Sequence, residues 1–341
     1  MLVGTYTNGA STGIYTFGFD QEQGTSRALD SIALSNPSYL TAFADGRRVY
    51  AVSEKPDSSA ALVTLDFDPS NGHLSLLGSQ PTCGGDPCYV STNGKWVLTA
   101  NYSGGSLSVF PLRADGTADA LATLFRGTAT GPDSIRQADA HVHCAVFAPD
   151  GKHVFATDFS ADRLLRFDIM DNGLASAPDS TSTSLPPDYG PRHLIFAPDG
   201  RHAYVIGELS GTVTAMRYEG GRLDILQTLA ADTTGARGSA DIRISPDGRF
   251  LYASNRLRND GLAIFAIHPT EGTLTLKGYQ QTGLHPRNFN ITPNGRYLLV
   301  ACRDSHVIQV YERDTQTGAL TDTGRDIRVD QPVCIQFVNK P

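Results

Sequence analysis

The sequence predicts an all-β fold, a seven-bladed β-propeller with four antiparallel strands per blade whose last blade is closed by the N- and C-terminal strands. Three observations lead there: an Asp-Gly or Asn-Gly pair recurs at near-constant spacing, short β-rich runs are punctuated throughout by 34 Gly and 19 Pro, and the two chain ends read as complementary half-blades. With 341 residues, 40% of them hydrophobic and 18% charged, the chain can bury a large core, which excludes a disordered or fibrous class. One domain spanning 1–341 is expected.

The beat consists of Asp45-Gly46, Asn93-Gly94, Asp150-Gly151, Asp199-Gly200, Asp247-Gly248 and Asn294-Gly295, with 48, 57, 49, 48 and 47 residues between successive glycines. Most pairs follow a short apolar run such as Phe147-Ala148-Pro149 or Ile244-Ser245-Pro246. A second strand rich in Tyr, Val and Leu comes next, for example Tyr297-Leu298-Leu299-Val300. A third strand (residues 262–267 in one unit), a turn such as Glu271-Gly272 and a fourth strand complete the repeat. No long 3.6-residue apolar stripe competes with this reading. Residues 2–7 look like a second strand and 333–338 like a first. Pairing them makes a seventh blade and removes both open edges of the ring.

Lys plus Arg number 28 against 35 Asp plus Glu, a net charge of −7, which argues against a dedicated nucleic-acid or anionic-membrane surface. The five cysteines, Cys83, Cys88, Cys144, Cys302 and Cys334, are odd in number and lack paired C-x-x-C motifs. Reduced thiols in a cytoplasm are expected. No run nears the roughly 18 apolar residues of a membrane span, and Gly4, Thr5 and Thr7 interrupt any signal-peptide core, although a removed leader stays compatible with the sequence.

In a propeller the first strand of each blade lines the central channel, so residues before strand one and after strand two meet at one mouth. Eight residues before the glycines lie Ser38, Asp86, His143, Arg192, Ala240 and Arg287. Matching Pro87-Cys88-Tyr89 to Pro37-Ser38-Tyr39 makes the second unit two residues short and substitutes Cys88 for Asp86. Eight residues after lie Glu54, Tyr102, Phe159, Glu208, Arg256 and Arg303. A single charged strand end usually only keeps an all-β protein soluble. Four arginines at equivalent positions in an acidic chain instead focus a positive potential on a phosphorylated or carboxylated small molecule.

His141-Val142-His143 places two imidazoles on one face of a strand. With Asp139 or Asp158 they could hold a metal, but no second ligand cluster accompanies them, so neither metal nor other cofactor is expected. His143 suits a general base better. Trp96 belongs to the core, and Cys144, facing away from His143, is a structural thiol. No P-loop or H-E-x-x-H motif occurs.

The ordered set Val3-Gly4-Thr5-Tyr6-Thr7, Asn36-Pro37-Ser38-Tyr39-Leu40, Ala100-Asn101-Tyr102, His141-Val142-His143, Gly190-Pro191-Arg192-His193-Leu194, Gly207-Glu208-Leu209, Ser254-Asn255-Arg256 and His285-Pro286-Arg287-Asn288-Phe289 resembles the propeller-type 6-phosphogluconolactonases over nearly the full length. That family groups with a fungal carboxymuconate-lactonizing enzyme of the same fold. The resemblance implies metal-independent lactone chemistry at the channel mouth and carries the family's proposed site onto His143, Arg192, Glu208 and Arg256. Similar chains usually have Glu where this one has Asp241, which shortens the reach of that carboxylate.

The expected activity is hydrolysis of 6-phospho-D-glucono-1,5-lactone to 6-phosphogluconate, as in the oxidative pentose phosphate route. His143 is expected to act as the base, Glu208 to position the water or a guanidinium, and Arg192 and Arg256 to stabilise the oxyanion or clamp the phosphate. His141, Asp241, Arg287, Arg303 and Tyr102 are expected to contact the substrate. Three alternatives remain: a muconate-type cyclisation, a non-catalytic propeller that binds a protein partner, and a calcium-dependent lactonase using Asn101, Asn255, Glu54 and Glu208. Beyond the anionic sugar lactone no nucleic acid or membrane is implied, and oligomeric state is not indicated.

Overall fold

The computed structural model of the protein describes residues 1–338 except positions 44, 128 and 178, so the last three residues of the expected 1–341 domain lie outside the described residues. Seven antiparallel sheets form the blades of a ring, as the glycine beat implies. Blades 1 to 6 begin with inner strands Leu40–Ala42, Pro87–Thr92, Val142–Phe147, Pro191–Phe196, Ser239–Ile244 and Pro286–Ile291. Blade 7 takes its inner strand, Pro332–Gln336, from the C-terminal end and the next three, Leu2–Thr5, Gly13–Asp20 and Thr25–Ala33, from the N-terminal end. In blades 3 and 6 the outermost position is shared by two short strands on one partner. No helix among the described residues is long and apolar enough to cross a membrane.

The repeated Asp-Gly pairs build a turn with one extra element. In blade 3 the Ala148 N–H donates to the His153 carbonyl and the Gly151 N–H to the Ala148 carbonyl, so the loop holds four residues rather than two. Gly151 adopts φ +67°, which an L side chain resists, and the Asp150 carboxylate accepts the Lys152 N–H at 2.8 Å. Blades 1, 4, 5 and 6 repeat the pattern. Blade 2 alone closes with two residues, Asn93 bonding Trp96. This difference accounts for the two-residue shortfall of that unit.

The core lies between neighbouring blades, where facing sheets interdigitate. Trp96 is buried there with Leu98, Val109 and Phe167. Burying one such large apolar side chain contributes about 1.5–3 kcal/mol. Polar ties set the angle between blades: Tyr50, Tyr204 and Tyr252 are buried in second strands and donate their hydroxyls to Gly116, Gly272 and Gly318 of the next blade at 2.8–2.9 Å.

Candidate active site

The start of nearly every inner strand carries a β-bulge. Pro87 pairs with Asn101 and Tyr89 with Ala100, which leaves Cys88 unpaired between them. His143, Arg192, Arg287 and Val333 are left out of the ladder in the same way. A bulge re-aims the side chain of the extra residue, and here it brings Cys88, His143 and Arg287 to one cavity wall. The carbonyl two residues earlier receives the N–H that ends the second strand: Tyr6 to Gln331, Glu54 to Asn36, Tyr102 to Asp86, Phe159 to His141, Glu208 to Gly190 and Arg303 to His285. The two sets of side chains thus meet in one layer.

A cavity of about 340 Å³ opens in that layer, lined by Glu54, Asp86, Cys88, Tyr102, Arg136, His143, Glu208 and Arg287. Glu208 is the hub of an ion cluster: Arg136 Nη2 lies 2.6 Å from Oε1 and Arg256 Nη2 3.3 Å from it. Arg192 Nε sits 2.9 Å from Oε2, an ion pair without hydrogen-bond alignment. Burial alone would raise the Glu208 carboxyl, but Arg256, Arg192 and Arg136 outweigh it and hold it at about 2. The guanidiniums are pinned in turn, Arg192 to the Ala240 carbonyl at 2.8 Å and Arg256 to the Gly238 carbonyl at 2.7 Å.

His143 is buried, with Nδ1 3.6 Å from Cys88 Sγ. Burial, Arg192, His193 and Arg287 all press its pKa well below the ordinary imidazole value, so the ring is neutral at physiological pH. Tyr102 packs edge-on against His143 and lies parallel to His141, centroids 4.1 Å apart. Arg287 behaves differently from the other arginines. It lines the cavity over the Tyr6 ring at 5.4 Å and has no hydrogen bond or carboxylate within ion-pair distance among the described residues.

Of the expected site residues, the structure brings His143, Glu208, Tyr102 and Arg287 to the cavity wall. Arg192 and Arg256 stand behind Glu208 rather than on the wall, because its carboxylate captures them. His141 stands behind Tyr102, bonded to the Tyr102 carbonyl at 2.8 Å. Arg303 and Asp241, expected to contact the substrate, do not line this cavity. Arg303 is clamped onto its neighbour Asp304 at 2.6 and 3.1 Å. Asp241 lies deeper in the channel on a separate cavity of about 210 Å³, bound by His193 at 2.8 Å, Arg243 at 3.1 Å and Asn288 at 2.6 Å. The calcium donors do not converge either: Asn101 is bonded to Ser106 and Ser108, and Asn255 to Ser239 and the Ala231 carbonyl. Among the described residues no group of three or more His, Cys, Asp or Glu could hold a metal ion.

Two residues escaped the sequence reading. Arg136 lies in the segment that lengthens one repeat to 57 residues, where Asp133 accepts the Arg136 N–H at 2.9 Å and is itself held by Arg237 at 2.6 Å. The long interval was the available signal. Tyr6 ends the second strand of blade 7, which has no glycine beat to mark it, although counting from the Val3-Gly4-Thr5 run would have found it.

Comparison with known proteins agrees with this geometry. A family described as lactonase, 7-bladed beta-propeller, matches residues 1–337. A Bacillus subtilis (strain 168) protein named 6-phosphogluconolactonase is 34% identical over 351 residues, covering 99% of this chain and 98% of its own. Among solved structures, one from Bacteroides uniformis ATCC 8492 superposes with a TM-score of 0.96 at 61% identity, over 98% of this chain and 97% of that one. The Pseudomonas aeruginosa periplasmic gluconolactonase gives 0.94 at 36% identity, over 100% and 99% of the two chains.

Proposed function

This chain belongs to the seven-bladed β-propeller lactonase family and is a sugar-lactone hydrolase; on that premise we propose that its substrate is 6-phospho-D-glucono-1,5-lactone, opened at the channel mouth without a metal. One observation carries the choice of a phosphorylated sugar. Arg287 presents a guanidinium to the cavity with no carboxylate within ion-pair distance among the described residues, Glu54 and Glu208 acting on it only from farther off, while Arg136, Arg192 and Arg256 share Glu208. A phosphate supplies a direct ion-pair partner, and the partly buried setting strengthens the bond.

Hydrolysis requires water to attack the lactone carbonyl while charge builds on its oxygen. Glu208 is already committed to three guanidiniums, so its role is to hold Arg136, Arg192 and Arg256 in place around the cavity. His143, expected as the base, is kept neutral and only weakly basic by burial and, after it, by the nearby arginines. Its part is to orient the water or the carbonyl by hydrogen bonding. The phosphate, by offsetting Arg192 and Arg287, would restore some of its basicity. The five thiols, none bridged, suit a reducing cytoplasm.

A second reading, unphosphorylated gluconolactone, is favoured by the likeness to the Pseudomonas aeruginosa periplasmic gluconolactonase. Freshly generated 6-phosphogluconolactone and gluconolactone, assayed in parallel above their spontaneous rates with and without EDTA, separate the two. A charged hydrogen bond of about 1.5–3 kcal/mol predicts about a 10- to 150-fold preference in kcat/KM for the phosphorylated lactone, with EDTA having no effect. Equal rates would favour gluconolactone. Acceleration of neither would remove both sugars, and EDTA inhibition would remove the metal-free mechanism.

A further inference from the structure

The cavity holds two glutamates at equivalent places in the repeat, Glu54 at the end of the second strand of blade 1 and Glu208 at that of blade 4. Their surroundings differ. Glu208 is matched by three guanidiniums, which hold its carboxyl well below the ordinary carboxylate value. Glu54 accepts the Tyr6 hydroxyl, at 3.1 and 3.3 Å to its two oxygens, has the Ser38 hydroxyl beside it, and has no ion pair within 4 Å among the described residues. We propose, resting on the lactonase reading above, that Glu54 is the general base of this enzyme and that Tyr6 orients its carboxylate toward the cavity.

The neighbouring charges support this assignment. Glu54 is faced by Tyr6 from blade 7, Arg287 from blade 6, Asp86 and Cys88 from blade 2, and Ser38 from its own blade. Burial raises its carboxyl above the ordinary value and Asp86 adds to the rise, while Arg287 and the Ser38 and Tyr6 hydroxyls oppose it. The result is a carboxylate more basic than an exposed one. Glu208 and His143 are both displaced the other way. Two groups of one site pushed apart in this manner mark an acid–base partner beside a fixed electrostatic frame.

In the step, the water oxygen bonds to the lactone carbonyl carbon, the carbonyl π pair moves onto its oxygen, and one water proton passes to Glu54. The tetrahedral intermediate then re-forms the carbonyl and breaks the bond from that carbon to the ring oxygen, which takes the proton from Glu54. The open-chain acid loses its own proton to solvent, so Glu54 ends each turnover as it began. The phosphate stays intact at Arg287.

The test is Glu54→Gln, which preserves shape and a partner for Tyr6, assayed with 6-phosphogluconolactone and gluconolactone after subtraction of spontaneous hydrolysis. Loss of a general base predicts a fall in kcat of about 10²- to 10⁴-fold with KM within a few-fold. The wild-type acid limb, where activity falls as Glu54 becomes protonated, should vanish in the variant. Unchanged kcat with the limb intact would overturn the proposal, and so would a change confined to KM. Should Glu54→Gln fail to fold, Glu54→Asp decides: a displaced acid limb supports the proposal and an undisplaced one overturns it. Wild-type enzyme that accelerates neither lactone would instead overturn the lactonase reading itself.

Discussion

Around the channel mouth, the side built by blades 4 and 5 and the side built by blades 6, 7 and 1 treat charge in opposite ways. On the first side Arg192, Arg256 and the loop residue Arg136 converge on Glu208, and the guanidiniums are tied to backbone carbonyls. On the second side Arg287 rests on the Tyr6 ring and Glu54 is met by the Tyr6 and Ser38 hydroxyls and by no guanidinium within ion-pair distance among the described residues. A buried charge matched by protein partners shapes a site and is hard to move. An unmatched one is available to a ligand, and the cost of keeping it unmatched is borne by stability until the ligand arrives.

The largest expected effect comes from breaking the matched side. Glu208→Gln leaves three guanidiniums facing one another without a counter-ion, which should cost about 3–5 kcal/mol of folding stability, read as a lower denaturation midpoint in urea. The sign against pH follows from its depressed carboxyl. The Glu208 contribution is complete above the ordinary value of 4.5 and is lost as pH falls from there through about 2. A variant as stable as wild type at neutral pH would dissolve the distinction between the two sides.

The unmatched side should respond in activity and not in stability. Arg287→Ala is expected to lower kcat/KM for the phosphorylated lactone by about a hundredfold, to affect gluconolactone far less, and to leave thermal unfolding unchanged or raised. Equal losses on both lactones would assign Arg287 to the reacting carbonyl instead of the phosphate.

A smaller effect is expected from His193, deeper in the channel, which donates to Asp241 at 2.8 Å and accepts from Arg192 Nη1 at 3.2 Å. Burial, with Arg192 adding to it, lowers this imidazole to about 4 although Asp241 opposes the shift. The unfolded chain therefore takes up a proton near 6.5 that the folded protein refuses until about 4. Stability should fall by about 1–3 kcal/mol as pH drops through that interval. His193→Gln should flatten the slope there while leaving the lower window of Glu208, which calorimetry across pH would resolve.

Much of the ring was legible because the glycine beat is a local property. Gly151 and its counterparts need positive φ wherever the chain goes next, so spacing alone counts blades. The eight-residue offsets worked for the same reason, placing His143, Arg192, Glu208 and Arg287 at one mouth. They could not tell that Arg303 would turn onto Asp304 or that Asp241 would sit below the layer. Those outcomes depend on which partner a flexible side chain meets first, and the partner of Asp241 is His193 from a different blade. Arg136 and Tyr6 fell outside the count because one belongs to an insertion and the other to the blade without a beat.

The sequence by itself determined the number of blades, the closure of the last one by both chain ends and the register that gathers arginines and glutamates at one mouth, since periodic turns and strand alternation act over a few residues. Only the tertiary structure decided which of those charges were neutralised. Bulges at the inner strands re-aim the side chains, and pairing across blades 48 or more residues apart, such as Arg256 on Glu208 against Arg287 over Tyr6, depends on distances of a few ångströms that no spacing along the chain encodes.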